Sequence, residues 1–150
     1  MRVLLADDNP QCLRMWAGIV TRKCDIVATA KDGHSALELI RRLKPSVAVL
    51  DFDMPGHTGI DVLCALATQH EKPAVVICSV DCSPELISAA RDAGALGFVA
   101  KLYSGRDLLP AIEAASQLQP FFPPNRNPAS KRGSVRSKTI DAEPTVTLYR

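Results

Sequence analysis

The chain has 150 residues, 47% apolar and 23% charged, with a formal net charge of +2 and five cysteines. That length suits one domain with a sizeable core plus a tail. No apolar run approaches the ~20 residues that cross a bilayer, and no signal-peptide pattern follows Met1, so a cytoplasmic protein with no membrane partner is expected. Cys12, Cys24, Cys64, Cys78 and Cys82 are odd in number, scattered and mostly in apolar segments, without a C-x-x-C pair; they read as small core residues rather than disulfides or zinc ligands. Residues 1–119 carry 12 Lys/Arg against 14 Asp/Glu, whereas residues 120–150 carry 6 against 2. Composition turns to Pro, Ser, Arg and Asn at the same place. The expected division is a folded domain over 1–119 and a Pro-rich basic tail over 120–150, disordered for want of apolar surface.

Val3-Leu4-Leu5-Ala6 reads as a short buried strand stopped by Asp7-Asp8-Asn9-Pro10. Pro10 to about Lys23 gives helical spacing through Leu13, Trp16, Ala17 and Val20, with Asn9 as cap and Pro10 at the first helical position. Ile26–Ala30 is a second strand. Gly33–Lys44 returns to helical spacing and Pro45 stops it. Val47–Leu50, wholly apolar, ends at Asp51, and a Pro-Gly turn follows.

Ile60–His70 reads as a third helix and Ala74–Cys78 as a strand ending at Ser79. Ser83-Pro84-Glu85 opens a fourth helix that Gly94 stops. Leu96–Ala100 is a fifth strand ending at Lys101. Ser104 to about Leu118 forms the last helix; Pro110 inside it implies either a start nearer Asp107 or a kink. Five strand–helix alternations predict an α/β, doubly wound, five-stranded parallel sheet of flavodoxin-like type, too few units for a barrel. Such folds bind ligands outside the carboxyl ends of the strands.

Asp7-Asp8, Asp51, Ser79 and Lys101 all stand at strand ends, so a parallel sheet gathers them on one edge. Converging carboxylates repel, and a hard cation such as Mg2+, with oxygen ligands, relieves the repulsion. A lysine and a hydroxyl opposite would complete a cradle for a phosphoryl group. Taken singly, Asp51 is a turn residue, Asp7-Asp8 a helix cap, Ser79 a strand end and Lys101 a solvated lysine. Their joint placement argues for chemistry.

Over residues 1 to about 118 the sequence resembles the receiver domain of two-component response regulators. The resemblance rests on the acidic pair in L-L-A-D-D-N-P, on D-F-D-M-P-G-H-T-G, on Ser79 after V-V-I-C, and on G-A-L-G-F-V-A-K ending at Lys101. It implies that Asp51 accepts a phosphoryl group from a histidine kinase or histidine phosphotransfer protein. It also implies Mg2+ on Asp8 and Asp51, with Asp7 acting through water and the Asp53 backbone carbonyl as a further ligand. Ser79 and Lys101 would hold phosphoryl oxygens. In the implied switch, Ser79 moves to the phosphoryl group, Phe98 turns inward, and the face of the fourth helix, fifth strand and fifth helix engages a downstream protein or a second copy.

Leu102 stands where many receivers carry proline, a variant of the subfamily that usually bears a helix-turn-helix output domain. Val80 replaces a smaller residue, and Asp53 and Asp81 add charge near the site. The implied protein is a single-domain phosphorelay component, not an enzyme in its own right. One alternative is a haloacid-dehalogenase-like phosphatase, whose nucleophile motif D-F-D resembles; there, however, the acidic pair comes last in the chain. A truncated DNA-binding regulator is another, with Lys131, Arg132, Arg136 and Lys138 giving weak contact; specific DNA binding is not expected.

Overall fold

β-Branched and aliphatic runs set the sheet. In the computed structural model, which describes residues 1–124, β1 (Arg2–Ala6), β3 (Val47–Asp51) and β4 (Ala74–Ser79) are buried along nearly their full length. They are covered on both faces, which is why they read as continuous apolar runs and not as alternating ones. With β2 (Asp25–Ala30) and β5 (Gly97–Ala100) they make a parallel sheet of order β2-β1-β3-β4-β5, the doubly wound, flavodoxin-like arrangement. Winding reverses between β1 and β3, so the crevice beyond their carboxyl ends is the switch point where such folds bind ligands.

Side-chain alternation divides the core. Val3, Leu5, Val47, Val49, Val76, Cys78 and Val99 face α1 (Pro10–Val20) and α5 (Ser104–Ser116), where Trp16, Leu108 and Ile112 meet them. Leu4, Ala48, Leu50, Ile77 and Phe98 face α2 (Gly33–Leu43), α3 (Gly59–Leu66) and α4 (Pro84–Asp92). α1 to α4 begin on side-chain caps, whereas α5 has none. Asn9 accepts from the Gln11 N–H, Asp32 from Ser35 and Ser83 from Leu86, and Thr58 forms a reciprocal capping box with Asp61. No helix among the described residues is long and apolar enough to cross a membrane.

Four expectations are modified. α3 stops at Leu66, well short of His70; the Ala67 and Gln69 N–H groups bond three residues back, tightening the end into turns. α5 starts at Ser104, and Pro110 sits within it on the solvent side, where water can satisfy the Arg106 carbonyl that loses its partner. Cys24 and Cys78 are buried as expected, but Cys64 is exposed and Cys12 and Cys82 are half-buried. The chain also keeps contact with the sheet past residue 119: Phe121 bridges to Gly97 alongside β5. The disorder expected of the basic tail concerns mainly residues 125–150, outside the described residues.

Candidate functional site

The strands that bury apolar side chains end one residue too late for an apolar interior. Ala6 is followed by Asp7, fully buried, and Leu50 by Asp51, 3% exposed. By alternation both carboxylates, and Lys101 beyond β5, lie on the α1/α5 side of the sheet, whereas Ser79, one residue past the partner of Asp51 in the β3–β4 register, lies on the other.

The Lys101 ammonium lies 2.8 Å from Asp7 Oδ2 and 3.0 Å from Asp51 Oδ2, and its side chain is only 16% exposed. A solvated lysine is therefore ruled out. Burial alone would lower its pKa, but the contacts with Asp7 and Asp51 more than offset this, and the group is held charged. Beneath it is the ring of Trp16, 5.7 Å from the ammonium, a cation–π contact that orients the lysine from below. Asp51 is pushed up to about 6, first by burial and then by the Asp7 charge, against the lowering effect of Lys101. Its other oxygen takes a long contact, 3.4 Å, from the Asp53 N–H.

Local folding fixes these positions. The Asn9 N–H donates to Asp7 Oδ1 at 2.9 Å, so the residue that caps α1 also holds the first carboxylate. After Asp51 the loop folds back on the strand end, and the Gly59 N–H reaches the Phe52 carbonyl at 2.9 Å. A Cβ at Gly59 would lie 2.9 Å from both the Asp51 carbonyl oxygen and Ile77 Cδ1, so only glycine allows this approach. The Pro55-Gly56 turn uses φ +81° at Gly56.

Asp7, Asp8 and Asp51 each offer a carboxylate oxygen, all within 4.8 Å of one another. Asp7 Oδ2 is fully buried and, although close to Lys101, finds no aligned hydrogen-bond donor. A hard, oxygen-seeking cation fits this donor set: three acids converge, one of them exposed, and a buried acceptor is left over.

The remaining predicted positions divide. Ser79 is buried at the end of β4, and its carbonyl receives the Cys82 thiol at 3.6 Å. Phe98 is already 1% exposed, packed among Leu50, Ile77 and Ala90, so any change there is a repacking and not an inward turn from solvent. Asp53 is exposed. Asp81 has a local task, accepting from the Ser83 N–H at 2.9 Å in the turn that opens α4. Val80 and Leu102 are open to solvent, at 84% and 83%, flanking the site without closing it.

Sequence reasoning placed Trp16 in the core but missed its place under Lys101. It also missed Cys12, whose thiol pKa is raised by burial and by Asp7. The helical spacing from Pro10 contained both facts, since it turns positions 12 and 16 towards the sheet.

A family model for the response regulator receiver domain matches residues 3–113. The chain is 38% identical over 116 residues to the transcriptional regulatory protein PdtaR of Mycobacterium tuberculosis, covering 76% of this chain and 56% of that protein. It is 31% identical over 124 residues to the DNA-binding transcriptional activator EvgA of Escherichia coli, covering 82% and 61%. The chain thus spans less than two thirds of the length of either relative. The signal receiver domain of the response regulator NarL from Mycobacterium tuberculosis superimposes with a TM-score of 0.74 at 30% identity, over 77% of this chain and 95% of that one.

Proposed function

Because the chain belongs to the response regulator receiver domain family, a component of two-component signalling, we propose that Asp51 is its phosphoacceptor. In this reading an Asp51 carboxylate oxygen attacks the phosphorus of a phosphohistidine on a sensor kinase or phosphotransfer protein. The O–P bond forms as the N–P bond breaks, and the histidine nitrogen leaves with the electron pair. The ammonium of Lys101, already 3.0 Å from Asp51, supports the reading most directly. A cation placed there neutralises charge on the transferring phosphoryl oxygens, and the Ser79 hydroxyl at the end of β4 is the second holder of those oxygens.

Asp8, Asp51 and the Asp53 carbonyl would hold Mg2+, with Asp7 adding its charge. When bound, the ion supplies neutralisation of phosphoryl charge that Lys101 cannot provide alone. The aspartyl phosphate brings new acceptor oxygens that Ser79 and Lys101 satisfy in one of two arrangements of β4 and β5, shifting the population between them. Phe98 repacks with that shift. The face of α4, β5 and α5 then changes its affinity for a downstream protein or a second copy, in the cytoplasm. The family match supports this reading over the phosphatase alternative.

Intact-mass measurement after incubation with acetyl phosphate and Mg2+ tests this. One phosphoryl adduct is expected, absent from Asp51→Asn and strongly reduced in Lys101→Ala. An adduct that persists in Asp51→Asn would refute the assignment.

A further inference from the structure

After α5 the chain turns back through Leu118, at φ +58°, and the Gln119 N–H bonds the Ala114 carbonyl at 2.8 Å. It then runs parallel to β5 along that strand's outer edge. The Phe121 N–H donates to the Leu96 carbonyl at 2.9 Å, and the Phe98 N–H donates to the Phe121 carbonyl at 2.8 Å. The two phenylalanines alternate as in a strand. Phe121 packs on the α1/α5 core and Phe122 on the opposite one, with Arg91 of α4 lying 4.3 Å above its ring.

This incipient sixth strand is kept short by its own sequence. In a parallel ladder the next donor after Phe121 is residue 123, and residues 123 and 124 are prolines. Only two hydrogen bonds, two rings and one cation hold it. The attachment is thus specific in register but weak, and it is bonded to the backbone of Phe98 itself.

We infer that Pro120–Pro124 is a releasable clip, a regulatory contact that occupies the β5 edge while Asp51 is free and opens when Asp51 is phosphorylated. This rests on the phosphoacceptor reading above. The direction follows from geometry. Lys101, immediately after β5, already contacts Asp51, and Ser79 pairs with Ala100 of β5; as Ser79 turns onto the new oxygens at Asp51 it would carry the end of β5 with it, towards the middle of the sheet. The clip lies on the other side of β5 and is held from α4 by Arg91. Movement of β5 inward separates Phe98 from Phe121. Opening bares the edge of β5 on the proposed partner face and frees the chain beyond residue 119.

Hydrogen exchange by NMR on the full chain, with the acetyl phosphate adduct followed by mass in the same samples, tests the inference. The Phe98 and Phe121 amides should exchange about five-fold or more faster in the phosphorylated protein, while amides of β3 are unchanged. By reciprocity Arg91→Ala, which loosens the clip from an exposed position on α4, should shift the phosphorylation equilibrium towards the adduct by a similar factor. Phe122→Ala should act in the same sense. A clean Asp51 adduct with unaltered exchange at Phe98 and Phe121 would overturn the clip and leave the phosphoacceptor standing; no adduct at all would overturn both.

Discussion

Leu50 and Asp51 are neighbours on one strand, both removed from water, and burial does opposite things to them. For Leu50 and the rest of the middle of the sheet, exclusion of water is the source of stability, about 25 cal/mol for each Å2 of apolar surface. For Asp51 it is a cost, only partly returned by Lys101. The same strands therefore serve stability in their middle and reactivity at their carboxyl edge. The transition takes a single residue because a strand advances only ~3.3 Å per residue.

Two substitutions one residue apart sharpen the contrast by having opposite signs. Leu50→Ala should lower unfolding free energy by about 3 kcal/mol through lost burial and the cavity left behind. Asp51→Asn should raise it by about 2 kcal/mol near pH 7, since the group's upward shift already includes Lys101 and its ionised form is on balance unfavourable in the fold. The sign with pH follows. A carboxyl raised from 3.8 to about 6 binds its proton more tightly folded than unfolded, so wild-type stability falls as pH rises through that window and is level above it. The advantage of Asp51→Asn should be near zero below pH 4, grow up to about pH 6 and then stay constant. Urea unfolding across pH measures this, and a stability gap that shrinks with rising pH would break the contrast.

A divalent cation should narrow that gap. At ten times its Kd, Mg2+ should stabilise the wild type by about 1.4 kcal/mol. Asp8 is exposed and its side chain makes no hydrogen bond or ion pair among the described residues, so Asp8→Asn should leave metal-free stability nearly unchanged while removing the Mg2+-dependent rise in Tm. Trp16, the chain's one tryptophan, reports independently, because its ring lies beneath the lysine that shares Asp51. An undiminished Mg2+ response in Asp8→Asn would take the ion away from this edge.

The strands of the middle were legible because double-sided burial writes itself as unbroken apolar runs, and the edge because each run stops at a polar residue. What was not legible is what depends on approach between distant segments. D-F-D-M-P-G-H-T-G shows a turn, but not that Gly59 must touch the Asp51 carbonyl. Pro110 signals a helix break by its missing N–H, yet its exposed position in α5 lets water take over the bond. Phe121 and Phe122 fall by composition in the Pro-rich tail because prolines surround them; their pairing with β5 depends on where α5 ends, which local composition does not encode.

The capping box of α3 gives the smallest effect and the strictest test of separation between stability and chemistry. Thr58 accepts from the Asp61 N–H at 3.1 Å, and Asp61 accepts from the Thr58 N–H at 2.8 Å, beside the Gly59 that touches the end of β3. The box stands at the reactive edge in space, yet its hydrogen bonds satisfy only the first turn of a helix. Thr58→Ala should cost about 1 kcal/mol, and Thr58→Ser should recover most of it. Phosphoryl uptake at Asp51 should be the same in all three proteins. If uptake fell with Thr58→Ala and returned with Thr58→Ser, the cap would be positioning Asp53 and the loop for chemistry. The boundary between the two regimes would then lie on α3 and not at the last residue of β3.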